Sequence, residues 1–195
     1  TGAEGKASAT DKMTPTTPMI IRSTSKIILG ALMISQIDRG LYNLDDTVET
    51  LLSSHPDYNL INIPNVNTQV TVKQLLNMTS GISDWSKPED LNGRITIMMD
   101  QHWKPANNLK QISSKFTTPG FYNYSYANSI LLGLIASHVE KKDLNDMYQK
   151  QFFSPLGITA GLLPEIAMPK QTAFAHDDLS LYSAESGFGA VNTGI

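Results

Sequence analysis

The sequence predicts a helix-dominated domain built around one central helix that a sheet or further helices must cover. Three observations predict it. An apolar stretch with helical periodicity runs from close to Ser23 to about Asp38, and its apolar residues lie on almost every side; a helix of that kind is enclosed rather than laid on a surface. A second apolar stretch runs from about Ala127 to Glu140. The 195 residues, 41% apolar and 17% charged, are enough for one sizeable core, or for a domain plus a lobe.

Residues 1–18 are rich in Thr, Ser, Ala, Gly and Pro and read as an exposed loop. Met19, Ile20 and Ile21 form a short apolar run that reads as a strand end delivering the chain to Ser23. Gly40 supplies the stop after the central helix. Asp45 or Asp46 caps a next helix that has Glu49 in its first turn. Residues 53–68 read as a polar, Pro- and Asn-rich connection, and 71–76 as a short capped helix. A helix is expected over 95–102, with Pro105 and the Asn107-Asn108 pair breaking it. Pro119-Gly120 marks a turn before the aromatic segment Phe121-Tyr122-Asn123-Tyr124-Ser125-Tyr126. A third helix over 144–153 ends at Pro155, and the text beyond Gly157 is loop-like, with Pro164 and Pro169. The chain stops at Gly194-Ile195 without a C-terminal element, which reads as a fragment with both ends missing.

The central helix opens with Ser23-Thr24-Ser25-Lys26. Positions i and i+3 share a helix face, so Lys26 Nζ reaches Ser23 Oγ. A desolvated lysine with a lowered pKa can act as the base that makes a serine nucleophilic. The free N–H groups at a helix start favour a developing negative charge. The plainer reading is an N-cap serine with a solvated lysine one turn on. The helix is almost wholly apolar, however, and a lysine there must be partnered or neutral.

Composition excludes several classes. The net charge is −3, with no basic run to suit nucleic acid or an anionic membrane. Without cysteine there is no disulfide, thiolate chemistry or cysteine zinc site. No apolar run is long enough for a transmembrane span, and no signal peptide is present in the chain. His55, His102, His138 and His176 are too scattered for a metal site, so no cofactor is expected.

Four stretches together resemble the serine penicillin-recognising enzymes: class C β-lactamases, D-alanyl-D-alanine carboxypeptidases and related esterases. Ser23-Thr24-Ser25-Lys26 resembles the S-x-x-K nucleophile motif. Gly40-Leu41-Tyr42-Asn43-Leu44-Asp45-Asp46-Thr47-Val48 resembles the stretch next after the nucleophile helix. Residues 71–81, TVKQLLNMTSG, resemble a T-(I/V)-x-x-L-L-x-H-T-S-G segment, with Met78 in place of the histidine. Phe153-Ser154-Pro155-Leu156-Gly157 resembles the F-x-P-L-G ending of a later helix. The resemblance implies an α/β (α+β) β-lactamase/transpeptidase-like fold. Residues 27–120 would be largely the helical lobe of a single truncated domain. The remainder would belong to an antiparallel-sheet lobe whose strands are missing at both ends.

The second family motif, Y-x-N, fits two frames. Tyr126-Ala127-Asn128 spells it literally, whereas Tyr124-Ser125-Tyr126 puts a tyrosine at the asparagine position. Gly133 lies nine residues after Tyr124 and Pro155 thirty-one, the family spacing, which favours Tyr124 as the catalytic tyrosine. The family asparagine holds the substrate amide, and a phenol cannot offer both a carbonyl and an NH₂. A third reading makes Tyr122, Tyr124 and Tyr126 alternating core residues. The third motif, K/H-T/S-G, has only the mimic Asn192-Thr193-Gly194, too soon after Pro155.

The resemblance implies a serine hydrolase working through an acyl-enzyme on an amide, β-lactam or ester carbonyl. Ser23, Lys26 and Tyr124 would be catalytic, and Tyr126 and Asn128 substrate-binding. The partner would be a small-molecule or peptidoglycan-peptide substrate, and the location periplasmic or secreted. The alternatives are a carboxylesterase of the same family and a catalytically inactive binding or scaffold relative.

Overall fold

The structure is a computed structural model that describes residues 2–7, 10–84, 104–112, 114–162 and 173. The helix expected over 95–102, the loop with Pro164 and Pro169, His102, His176 and Asn192-Thr193-Gly194 lie outside the described residues.

A 3₁₀ turn over Arg22–Thr24 leads into α1, Ser25–Asp38. Gly40 ends it as expected, at φ +74° with its N–H bonded to Ile37 O at 2.8 Å. The buried residues of α1 are Ser25, Leu29, Leu32, Met33 and Gln36, a single stripe at helical spacing. Ile27 is 73% exposed and Ile34 47%, so among the described residues α1 is covered on one side only, not on every side as its composition predicts.

The helix enclosed all round is α5, Tyr126–Glu140, whose residues from Ala127 to Ala136 are all buried. Against it pack α1, the short helices α2 (Val48–Leu52) and α4 (Val72–Leu76), and a 3₁₀ stretch over Pro105–Gln111. Every backbone group inside α5 is satisfied by the helix itself, which lets its side chains be apolar in all directions.

Local signals set most boundaries. Thr71 and Gln74 form a reciprocal capping box at the start of α4. The cap of α2 is Thr47, which accepts from Thr50 N at 3.1 Å, rather than Asp45 or Asp46. The Asp46 carboxylate is already engaged by Asn43 N at 2.7 Å, and Asp46 O accepts from Val72 N. The connection over 53–68 holds a single helical turn, α3 (Tyr58–Ile61), with Ile61 fully buried. After α6 (Leu144–Tyr148) the chain passes through a wide π-type turn, Gln149–Phe153, into α7, Ser154–Leu156. Pro155 does not end the helical path. It lies in the first turn of α7, where its missing N–H costs nothing, and Gly157 at φ +64° makes the stop.

The described residues form the helical part of the β-lactamase/transpeptidase-like fold. Among them β pairing is limited to isolated bridges, Lys6 with Lys12, Met19 with Ala173 and Thr47 with Thr71. Met19, read as part of a strand end, makes only that one bridge, beside an Ala173 N to Pro18 O bond of 2.8 Å.

A polar knot joins α1 to the end of α5. The Gln36 amide donates to Ala136 O and to Glu140 Oε1, both at 3.0 Å, and accepts from the Tyr42 hydroxyl at 2.7 Å. Glu140 is also paired with Arg39, and with Lys142 at 2.8 Å. The Arg39 hydrogen bond, aided by those from Lys142 and Gln36, holds the Glu140 carboxyl down to about 2 from its ordinary 4.5. A depressed carboxylate stabilises the fold fully above its unfolded value, and that stabilisation is lost as pH falls through the folded one. Glu140→Gln should therefore lower stability near neutrality by about 1–3 kcal/mol. It should also flatten the acid dependence between pH 4.5 and about 2, which urea unfolding across that range would read.

Candidate active site

Ser23 sits in the 3₁₀ turn ahead of α1. Two hydrogen bonds fix that turn: Ser25 Oγ donates to Arg22 O at 2.7 Å, and Thr24 N donates to Ile21 O at 3.0 Å. Arg22 takes a left-handed φ of +44°, a conformation that disfavours a side chain by about 1–2 kcal/mol. Strain of this kind is retained where the surroundings over-determine it.

Three polar groups converge there. Lys26 Nζ donates to Ser23 Oγ at 3.3 Å, across the one-turn spacing. The Tyr124 hydroxyl lies 3.0 Å from the same oxygen and can donate or accept. Burial lowers the Lys26 pKa from its ordinary 10.5, while Tyr126 and Asp84 pull it upward. The amine therefore loses its proton more readily than a solvated lysine, and a Lys26–Tyr124 pair of this kind can accept a proton from a serine.

Tyr124 is brought 101 residues along the chain by a paired loop. Segment 78–84 bonds to 115–123 through Thr117 N to Gly81 O at 2.9 Å, Gly120 N to Thr79 O at 2.8 Å and Asn123 N to Met78 O at 2.8 Å. Ser83 Oγ adds a bond to Lys115 O at 3.3 Å. Ser125 then caps α5, accepting from Ala127 N at 3.2 Å and donating to Ser83 O at 3.2 Å. Asp84 Oδ1 accepts from Tyr126 N at 3.3 Å. The helix thus starts one residue earlier than periodicity suggests, and the cap leaves Tyr124 and Tyr126 flanking Ser125.

The remaining residues read from sequence fall differently. Asn128 is fully buried in the core: its Oδ1 accepts from Ser80 Oγ at 2.6 Å, and its Nδ2 meets Met78 Sδ at 3.1 Å. Tyr126 is half-buried, with its ring against Lys26. Tyr122 is 73% exposed, Tyr124 is partly exposed and none of the three tyrosines is fully buried, so they are not an alternating core strand. Among the described residues no three His, Asp or Glu side chains cluster as metal ligands would. Ser80 was read only as part of the 71–81 stretch and Asp84 not at all; the signal is their place around Gly81, where a left-handed glycine turns the chain back on itself.

The fold is that of the serine penicillin-recognising proteins. A D-stereospecific amidohydrolase of Streptomyces sp. superposes with a TM-score of 0.65 at 25% identity, covering 78% of this chain and 46% of its own. The D-amino acid amidase of Ochrobactrum anthropi SV3 gives 0.73 at 21% identity, covering 96% and 55%. A penicillin-binding protein of Bacillus halodurans gives 0.73 at 20%, covering 96% and 58%. Protein flp of Staphylococcus aureus (strain NCTC 8325 / PS 47) is 31% identical over 158 residues, which is 76% of this chain and 28% of the relative's length. Residues 3–180 match the Beta-lactamase family, and the chain belongs to it.

Gly81 carries the approach of the two loop segments. Its φ is +74°, and a Cβ there would stand 2.3 Å from Thr117 O. Gly81→Ala should destabilise by about 1–3 kcal/mol, read as a fall in thermal midpoint. Ser80→Ala leaves the buried Asn128 carbonyl oxygen without its hydroxyl donor and should lose a similar amount.

Proposed function

We propose that this chain carries the nucleophile of a serine hydrolase that forms an acyl-enzyme on an amide, β-lactam or ester carbonyl. The observation that carries the reading is the position of Ser23 Oγ, within 3.3 Å of Lys26 Nζ and 3.0 Å of the Tyr124 hydroxyl. Ser23 Oγ attacks the carbonyl carbon while its proton passes to the Lys26–Tyr124 pair. The carbonyl oxygen becomes an oxyanion, for which the Ser23 backbone N–H is one donor. The same proton then moves to the leaving nitrogen or oxygen as its bond to carbon breaks, and the acyl group stays on Ser23. Water repeats the sequence in the second half-reaction and frees the acid.

Solved relatives are described as a D-stereospecific amidohydrolase and a D-amino acid amidase, so amides of D-configured amino acids are the first substrates to test. A carboxylesterase is the second reading. Tyr126 favours it, because a phenol lacks the separate carbonyl and NH₂ that an asparagine offers a substrate amide. No described helix is long and apolar enough to cross a membrane, and a periplasmic or secreted location suits a peptidoglycan-peptide substrate.

A serine-directed fluorophosphonate should label the protein, and Ser23→Ala should abolish labelling. Label that persists in Ser23→Ala sinks the assignment, and a protein that neither labels nor turns over a chromogenic ester, D-amino acid anilide or cephalosporin is an inactive relative. Lys26→Arg keeps the charge but cannot deprotonate, and should slow acylation by about 10²–10⁴. Because burial lowers the Lys26 pKa, the wild-type acylation rate should rise with pH along a limb centred below 10.5. Lys26→Arg should lose that limb.

A further inference from the structure

Lys26 Nζ lies in a corner made of two aromatic rings. It is 4.5 Å from the centroid of the Tyr126 ring and 5.6 Å from that of Tyr124. The rings meet at 83° with centroids 5.4 Å apart, an edge-to-face pair that braces each against the other. The nearer ring is not the one whose hydroxyl touches Ser23. Tyr126 is held from behind by its own backbone: it is the first residue of α5, with its N–H on Asp84.

We infer that Tyr126 is a positioning residue that holds the Lys26 amine beside Ser23 and stabilises it as an ammonium once it has taken up the serine proton. This rests on the acyl-transfer reading above. A lysine has four rotatable bonds, and burial alone does not choose among its rotamers. A ring face 4.5 Å from Nζ removes the conformers that swing away from Ser23. That face is also electron-rich and attracts a cation within about 6 Å. The attraction is absent for the neutral amine that begins the reaction and present for the ammonium formed as Ser23 attacks, so it favours the transition state over the ground state. Among the described residues, the groups facing the amine are the Ser23 hydroxyl on its own turn, Tyr124 and Tyr126 at the start of α5, and Asp84 on the neighbouring loop.

The test is the pH dependence of fluorophosphonate acylation in Tyr126→Leu and Tyr126→Phe. Leucine keeps apolar bulk without a π face, whereas phenylalanine keeps the face without the hydroxyl. With leucine the basic limb should move down by about 0.4–1.5 pH units, and the rate above the limb should fall about 2- to 30-fold. With phenylalanine the limb should stay where it is. Thermal unfolding checks that each variant is folded, and Tyr126→Met gives the same reading if the leucine variant is not. A leucine limb that stays put or moves upward overturns the inference, as does a phenylalanine limb that moves as far as the leucine one. Failure of the acyl-transfer reading itself shows separately, as label surviving in Ser23→Ala.

Discussion

A single hydrogen bond in the core, from the Ser80 hydroxyl to the Asn128 amide, sets the geometry on which the rest of the site depends. Both residues are buried, and a buried amide without a partner is costly, so the loop must stay where Ser80 meets the helix. Gly81, next in the chain, allows the close approach to Thr117, and the paired loop then runs to Asn123. From there the chain enters the Ser125 cap, with a tyrosine on either side of it. Asn128, read from sequence as a contact for substrate, is buried here and bonded to Ser80.

Around Lys26 two forces oppose one another. Burial favours the neutral amine, and the neighbouring Tyr126 and Asp84 favour the ammonium. The hydrogen bond that Nζ makes to Ser23, at 3.3 Å, goes to a hydroxyl and not to a carboxylate, which is compatible with the proton exchange proposed above. A strong ion pair would fix the lysine as a cation and rule out its proposed role as a base. The Arg39–Glu140–Lys142 cluster at the far end of α5 shows the contrast: there two cations hold one carboxylate, and the carboxyl is driven down to about 2.

What the sequence revealed was local. The Ser23 and Lys26 spacing, the Gly40 stop, the Thr71 capping box and the long apolar run of α5 each depend on neighbours within a turn or two. The count back from Gly133 and Pro155 singles out Tyr124, and it is the Tyr124 hydroxyl that lies 3.0 Å from Ser23. What stayed hidden needed a distant partner. The partner of the buried Asn128 carbonyl, Ser80, arrives from 48 residues away. Asp46 does not cap α2 because Asn43 claims its carboxylate, and a threonine caps the helix instead. Periodicity could not show that α1 is covered on one stripe, since composition reports apolarity and not which neighbours reach it. The single turn of α3 is driven by the burial of Ile61 inside a stretch whose prolines and asparagines read as loop.

The contact between Ser23 and Tyr124 closes a loop of 101 residues. Closure on that scale carries a substantial entropic penalty and cannot precede the packing that repays it. α1 and α5 can each coil early, from local contacts, while the serine still lacks its phenol. If Ser23 is the nucleophile proposed above, its reactivity would time the last long-range step of folding. The chain can look helical by circular dichroism well before that residue awakens, and the interval between the two signals measures how long the topology takes to close.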